Sequence, residues 1–310
     1  MEFTEADFHD LANRLRNWGR WGDDDERGTT NLITPDRIAA AGALIRRGAV
    51  FNLGIPFDEN GPQLGRGRSN PLHLMSETGD PDPRFGGPFR FSDDVIVMPL
   101  QCATQWDSLA HVMYDDLLYN GFPASAVTAR GTARGSITHQ AKGIAGRGVL
   151  LDIAALEGVD WLPGGFVIEP EHLDAAVARQ GSVAVGAGDI LLVRTGFWRM
   201  FRETGDRPAF NGPEPGLGLR CCQWLHDRNV AVVASDNRAV EVVPSEIPDF
   251  SLPVHLILIR DMGMTLGEIF DLEELAADCQ ADGVWEFFFA GPPLEVTRAV
   301  GSPVNPLAIK

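Results

Sequence analysis

Apolar and polar positions give the two ends of this chain different textures. Residues 4–16 place apolar side chains at helical spacing and predict a short amphipathic helix. The stretch NWGRWGDDDERGTTNLITP that follows has no period and reads as a loop, although Trp18 and Trp21 need a surface on which to bury their rings. A second helix is predicted over 35–47, because Thr34 suits the N-cap, Pro35 the first turn and Gly48 the C-terminal cap. Residues 49–100 lack a helical period: 50–53 and 94–100 read as strands, and between them lies a long excursion rich in Gly, Pro and Arg.

Beyond residue 145, apolar runs alternate with amphipathic segments. Strands are predicted over 148–154, 188–197, 230–236 and 285–293, and helices over 169–181, 219–229 and 270–280. The apolar run 255–262 reads as a strand, or a strand entering a turn. Such alternation predicts an α/β sandwich with buried strands. No repeat or linker interrupts it. The expectation is therefore an N-terminal arm and helix over 1–48, offered to a subunit interface, and one domain over 49–310.

Charge narrows the function. The chain carries 26 Lys and Arg against 43 Asp and Glu, a formal net charge of -17, so it repels phosphates, and nucleic-acid binding is not expected. No polybasic membrane contact is expected either, and no apolar stretch reaches the roughly 18 residues of a membrane span. The acidic N-terminal segment lacks the pattern of a signal peptide. The four cysteines, Cys102, Cys221, Cys222 and Cys279, form no CxxC pair, so reduced thiols in the cytoplasm are expected.

Glycine-rich phosphate loops and the GxSxG elbow are absent. The segment 98–121 is the informative one. Gln101 and Gln105 are four residues apart, as are Asp107 and His111, so in a helix each pair would share a face. Asp-x-x-x-His is a plausible metal clip; its bland alternative is a hydrogen-bonded pair at a turn. His255 and Glu268 flank a mostly apolar run, and a buried imidazole or carboxylate needs a partner that a metal can supply. His73, Tyr119 and Asn120 are further pocket candidates, and Trp21 is placed to cover a pocket from the arm. Arg66 and Arg68 either bind a substrate carboxylate or simply solubilise their loop.

The run Gln101-Cys102-Ala103-Thr104-Gln105-Trp106-Asp107-Ser108-Leu109-Ala110-His111 resembles the signature His-x-Gly-Thr-His-x-Asp-x-x-x-His of the cyclase family. That family includes metal-dependent kynurenine formamidases, isatin hydrolases and dienelactone hydrolases. Further resemblance lies in GDILLVRTGF, in the strand leading to SDNRAVE and in the LPVH…LGE stretch. The resemblance implies a swivelling β/β/α sandwich and Asp107, His111, His255 and Glu268 as ligands of one divalent metal, zinc or manganese. It departs from the signature at Gln101 and Gln105, where two histidines hold a second metal in two-metal relatives. Neutral amides are weak ligands, so these glutamines are read as substrate-binding, together with His73, Tyr119 and Trp21. The reaction implied is hydrolysis of a small amide, imide, formamide or lactone, with Asp107, His111 and Glu268 catalytic. A metal-assisted lyase or cyclase, and a non-enzymatic small-molecule binder with a degenerate site, are the alternatives. The resemblance also implies a homodimer or homotetramer.

Overall fold

The computed structural model describes residues 3–181 and 183–310. Its centre is a nine-stranded sheet. Chain order supplies β1 (Val50–Asn52), a projecting hairpin of β2 (Leu72–Thr78) and β3 (Ser92–Val97), and then β4 (Gln105–Asp107). The remaining strands of the central sheet are β5 (Ala145–Asp152), β6 (Ile190–Arg194), β7 (Val232–Ser235), β8 (Thr265–Glu268), β9 (Glu286–Ala290), β10 (Gly301–Pro303) and β11 (Leu307–Ile309). The sheet order is β1-β11-β9-β5-β6-β7-β8-β4-β10. Strands β5 to β8 run parallel at its centre, and the flanking pairs are antiparallel.

The central strands are apolar on both faces because both are covered. Val149, Leu151, Leu191, Val193 and Val233 face one core, with Leu173 and Ala176 of helix Pro170–Arg179 and Cys222 and Leu225 of helix Cys221–Asp227. The alternate residues Leu150, Ile190, Leu192 and Val232 face the other, with Leu275 and Cys279 of helix Glu273–Asp282. This is the α/β sandwich the alternation predicts. Among the described residues no helix is long and apolar enough to cross a membrane.

Three local expectations are corrected. The second helix, Pro35–Gly42, ends short of 47. The segment 101–111 is not helical: it is a turn leading into β4, and period two, not four, sets which side chains share a face. The apolar run 255–262 is not a strand. Pro253–His255 forms a helical turn that continues as a π-helical segment, Leu256–Asp261. Pro253 starts that turn, and the Glu241 carboxylate accepts hydrogen bonds from the backbone N–H groups of Val254 and His255. A continuous apolar run is equally compatible with a buried helix, and here capping decided it.

The N-terminal arm packs on its own body. Trp18 donates its indole N–H to the Arg260 carbonyl at 2.8 Å and stacks under the Arg260 guanidinium. Asn17 holds the backbone at Asp261 and Met262, and Thr29 holds Gly263 and Ala231. At Gly28, with φ +56°, a Cβ would lie 1.9 Å from the Gly263 carbonyl oxygen, so that close backbone approach requires glycine.

Candidate metal centre

Strand β4 alternates its side chains: Trp106 enters the core against Phe270 and Phe289, while Gln105 and Asp107 emerge together on the opposite face. Register places Glu268 directly across from Gln105, and the Gln105 amide donates to Glu268 Oε2 at 2.6 Å. It also lies 3.4 Å from Asp107 Oδ1. His255 approaches from the helical turn, with Nε2 3.1 Å from Glu268 Oε1 and Nδ1 2.7 Å from Glu241 Oε1. Asp107, His255 and Glu268 each offer a ligand atom, and those atoms lie within 4.8 Å of one another.

The backbone around these groups is under constraint. Val240 and Ile269, both β-branched and buried, sit at φ 58°, and Leu252 sits at φ 52°. They adjoin Glu241, Glu268 and the His255 turn. Left-handed β-branched residues persist only where the surrounding packing imposes them, and such strain gathers at functional sites.

The electrostatics call for a cation. Asp107, Glu241 and Glu268 are all buried around one imidazole. Burial, with the Glu268 charge adding to it, pushes the Asp107 carboxyl up to about 6, against the pull of His111. For His255, burial alone would disfavour the imidazolium. The hydrogen bonds to Glu241 and Glu268 outweigh it and raise the ring to about 10. An imidazole between two carboxylates needs a positive centre on both nitrogens: a proton toward Glu241, and a proton or a metal ion on the Nε2 side. Asp107 Oδ2 and Gln105 Oε1 are buried without a hydrogen-bond partner. The unpaired Asp107 oxygen, the clustered acids and the oriented imidazole fit a divalent cation.

His111 adjoins this group without joining it. Its Nε2 is 3.7 Å from Asp107 Oδ1, its Nδ1 is buried and unpartnered, and the side chain is 19% exposed. Gln101 lies against Gly301, whose register partner is Asp107, so its amide sits on the face of the sheet that carries Asp107.

Four expected pocket residues are elsewhere. His73 sits on the exposed hairpin and pairs with Asp94 at 2.8 Å. The Tyr119 hydroxyl donates to Asp25 in the arm, and Asn120 binds the carbonyls of Gly22 and Asp23. Trp21 stacks with Arg20 and does not line the cavity above the metal centre. The tight loop at Tyr119 and the arm satisfy each other, which removes both from the site.

That cavity has a volume of about 960 Å³. His255 and Glu268 are at its floor, His111, Arg66, Arg68 and Arg238 are polar groups on its walls, and Val112, Ile247, Phe250 and Leu252 are apolar ones. Glu214 also lines it, fully buried, and accepts from the Arg238 side chain at 3.0 Å and its backbone N–H at 2.8 Å. Burial raises the Glu214 carboxyl to about 7, although the Arg238 charge opposes this. Glu214, Arg238 and Glu241 escaped the sequence reading. Only Glu241 left a trace: it is an acid inside the apolar run Ala239–Val243, where a buried charge needs a partner. A second cavity of about 500 Å³, lined by Asp7, Arg14, Arg220 and Trp224, has no comparable His and acid group.

Comparison with known proteins agrees with this geometry. Residues 51–242 match the family model described as "Putative cyclase". A crystal structure described as a novel cyclase is 44% identical, covers 96% of this chain and 99% of its own, and superposes with a TM-score of 0.90. Isatin hydrolase A from Ralstonia solanacearum shares the fold at 20% identity and TM-score 0.62, over 89% of this chain and 98% of its own. A predicted metal-dependent hydrolase from Bacillus stearothermophilus shares it at 16% identity and TM-score 0.54, over 84% and 97%. Curated proteins give no match. With more than half of its length in the family model and a close structural counterpart along nearly all of it, the chain belongs to the cyclase family.

Proposed function

We propose that this protein is a metal-dependent hydrolase that cleaves or opens a small amide, imide, formamide or lactone. The observation that carries the proposal is the convergence of Asp107, His255 and Glu268 within 4.8 Å of one another at the floor of a large cavity. The names of its structural relatives, isatin hydrolase and metal-dependent hydrolase, support the same reading. Asp107, His255 and Glu268 would hold one divalent ion, zinc or manganese, with His111 beside them. Such an ion supplies Lewis acidity and lowers the pKa of water toward neutrality.

The chain's own residues divide the remaining work. Glu241 fixes the His255 tautomer by accepting its Nδ1 proton. Gln105 orients Glu268 and keeps its own oxygen free for a polar group of the substrate. His111, partly exposed and facing Asp107, is the group placed to take a proton at Nε2 and pass it to solvent. The apolar wall limits water around the reacting bond. A panel of formamides, cyclic imides and lactones, read by product mass, tests the reading. Hydrolysis adds one water, whereas a cyclase or lyase product lacks it, and no turnover with the ion bound would favour a binding protein.

The protein is also proposed to act as an assembly of identical chains. Leu72, Leu74, Val95 and Val97 form cross-strand pairs on one face of the hairpin, and each is between 45% and 59% exposed. A two-stranded ribbon with an uncovered apolar face is not stable alone. The same strip on a second copy is a self-complementary cover of the kind a two-fold interface uses.

A further inference from the structure

The cavity over the acid cluster contains two arginines without a close partner, Arg66 and Arg68. Arg66 makes no ion pair or hydrogen bond among the described residues, and Arg68 has a long ion pair with Glu268, Nη1 to Oε2 3.9 Å, and no hydrogen bond among those residues. Both line the cavity. Their loop is built rather than loose. Gln63 is buried, donates its side-chain amide to the Cys102 carbonyl at 2.8 Å, and closes the loop through its backbone N–H to Asn70 Oδ1 at 2.8 Å. Arg207 and Asn211 grip the carbonyls of Gly61 and Pro62. Between these tethers Gly65 and Gly67 adopt φ +79° and +78°, and nothing lies within 4 Å of where their Cβ atoms would be. Backbone conformation therefore demands glycine there, not crowding. The alternating Gly-Arg-Gly-Arg run is a device for turning two arginines over the cavity.

We infer that Arg66 and Arg68 bind a carboxylate of the substrate, so that the substrate class is a small apolar or aromatic amide or lactone bearing an acid group beside the scissile carbonyl. This rests on the hydrolase reading for the scissile bond, but the carboxylate subsite stands independently of it. A chain with net charge -17 disfavours anions in general, so two guanidinium groups at the cavity mouth select the charge it receives. Guanidinium groups match carboxylates in a bidentate fork. The 3.9 Å separation of Arg68 from Glu268 puts the bound acid next to the reaction centre rather than at the far end of the molecule. Val112, Ile247 and Phe250 then receive the ring or alkyl part.

The test is calorimetric titration of the manganese-loaded protein with phthalate and with its neutral isostere phthalamide. Wild type is expected to bind phthalate at least about tenfold more tightly, and Arg66→Gln/Arg68→Gln to lose that preference at unchanged manganese content and unchanged phthalamide affinity. Arg90→Gln, on the exposed hairpin end, is expected to behave as wild type. Equal binding of the two probes, no binding of either, or a preference that survives the double substitution overturns the inference. If the preference depends on the two arginines and no amide or lactone is turned over, the carboxylate subsite holds and the hydrolase reading falls. If substrates are hydrolysed with no preference for the acid-bearing member of a matched pair, only the subsite falls.

Discussion

Glu241 is the residue on which the geometry of the centre turns, although it would touch no metal ion itself. Its two oxygens hold His255 Nδ1 and the backbone N–H groups of Val254 and His255. Glu241→Gln should therefore weaken divalent-ion affinity about 10–100-fold by freeing the imidazole, a change readable by equilibrium dialysis. Gln105 acts more gently. It orients Glu268 across the register and Asp107 two residues along its own strand. Gln105→Ala should keep its ion at saturation and lower kcat or raise KM by about tenfold, and complete loss of the ion would make the amide a ligand instead. Asp107 and His255 were legible because each stands in a recognisable sequence setting, one in the signature and one in LPVH. Glu241 was not: its place inside the apolar run Ala239–Val243 signals a buried acid, but nothing local shows that the partner it holds is a distant helical turn. His73 and Tyr119 were misplaced for the converse reason: proximity in sequence to the motif does not survive a hairpin or a tight turn.

At the scale of elements, the central strands were readable because burial on both faces leaves continuous apolar runs, and β5, β6, β7 and β9 lie where those runs are. The same argument failed at 255–262, since a buried π-helical segment carries the same run. It failed again at 101–111, where four-residue spacing mimicked a helix while the strand placed Gln105 and Asp107 together through period two. What ties the elements is a set of buried ion pairs. Arg194 on β6 binds Asp152 at 2.9 Å and both oxygens of Glu273, at 2.8 and 2.9 Å, joining the end of β5 to helix Glu273–Asp282. Arg194→Leu leaves two largely buried carboxylates without their cation, so denaturant unfolding should show a loss of about 3–5 kcal/mol. A loss below about 1 kcal/mol would mean the pair is solvated.

For the whole molecule, the interface is expected at the hairpin rather than at the arm, since Trp18 has already found its partner in Arg260. Val95→Asp/Val97→Asp should convert the assembly to a monomer by light scattering without lowering the ion content of each chain. A monomeric wild type at micromolar concentration contradicts the assembly. The central claim, a divalent-ion centre of Asp107, His255 and Glu268, has a definite pH signature. In the ion-free chain the Asp107 carboxyl is raised from 3.8 to about 6, so its burial costs stability as pH climbs through that interval. The His255 ring is raised from 6.5 to about 10, so its pairing stabilises the fold fully below about 6.5, and that stabilisation declines as pH climbs from 6.5 to about 10. Near pH 5 a metal ion must displace protons from both groups, whereas near pH 8 only the imidazole proton has to leave. The most direct measurement is calorimetric titration of the stripped protein with manganese at about those two pH values. The account predicts one ion per chain, bound about tenfold or more tightly at the higher pH, and no binding by His255→Ala. Binding that is insensitive to pH, or that survives His255→Ala, would contradict it.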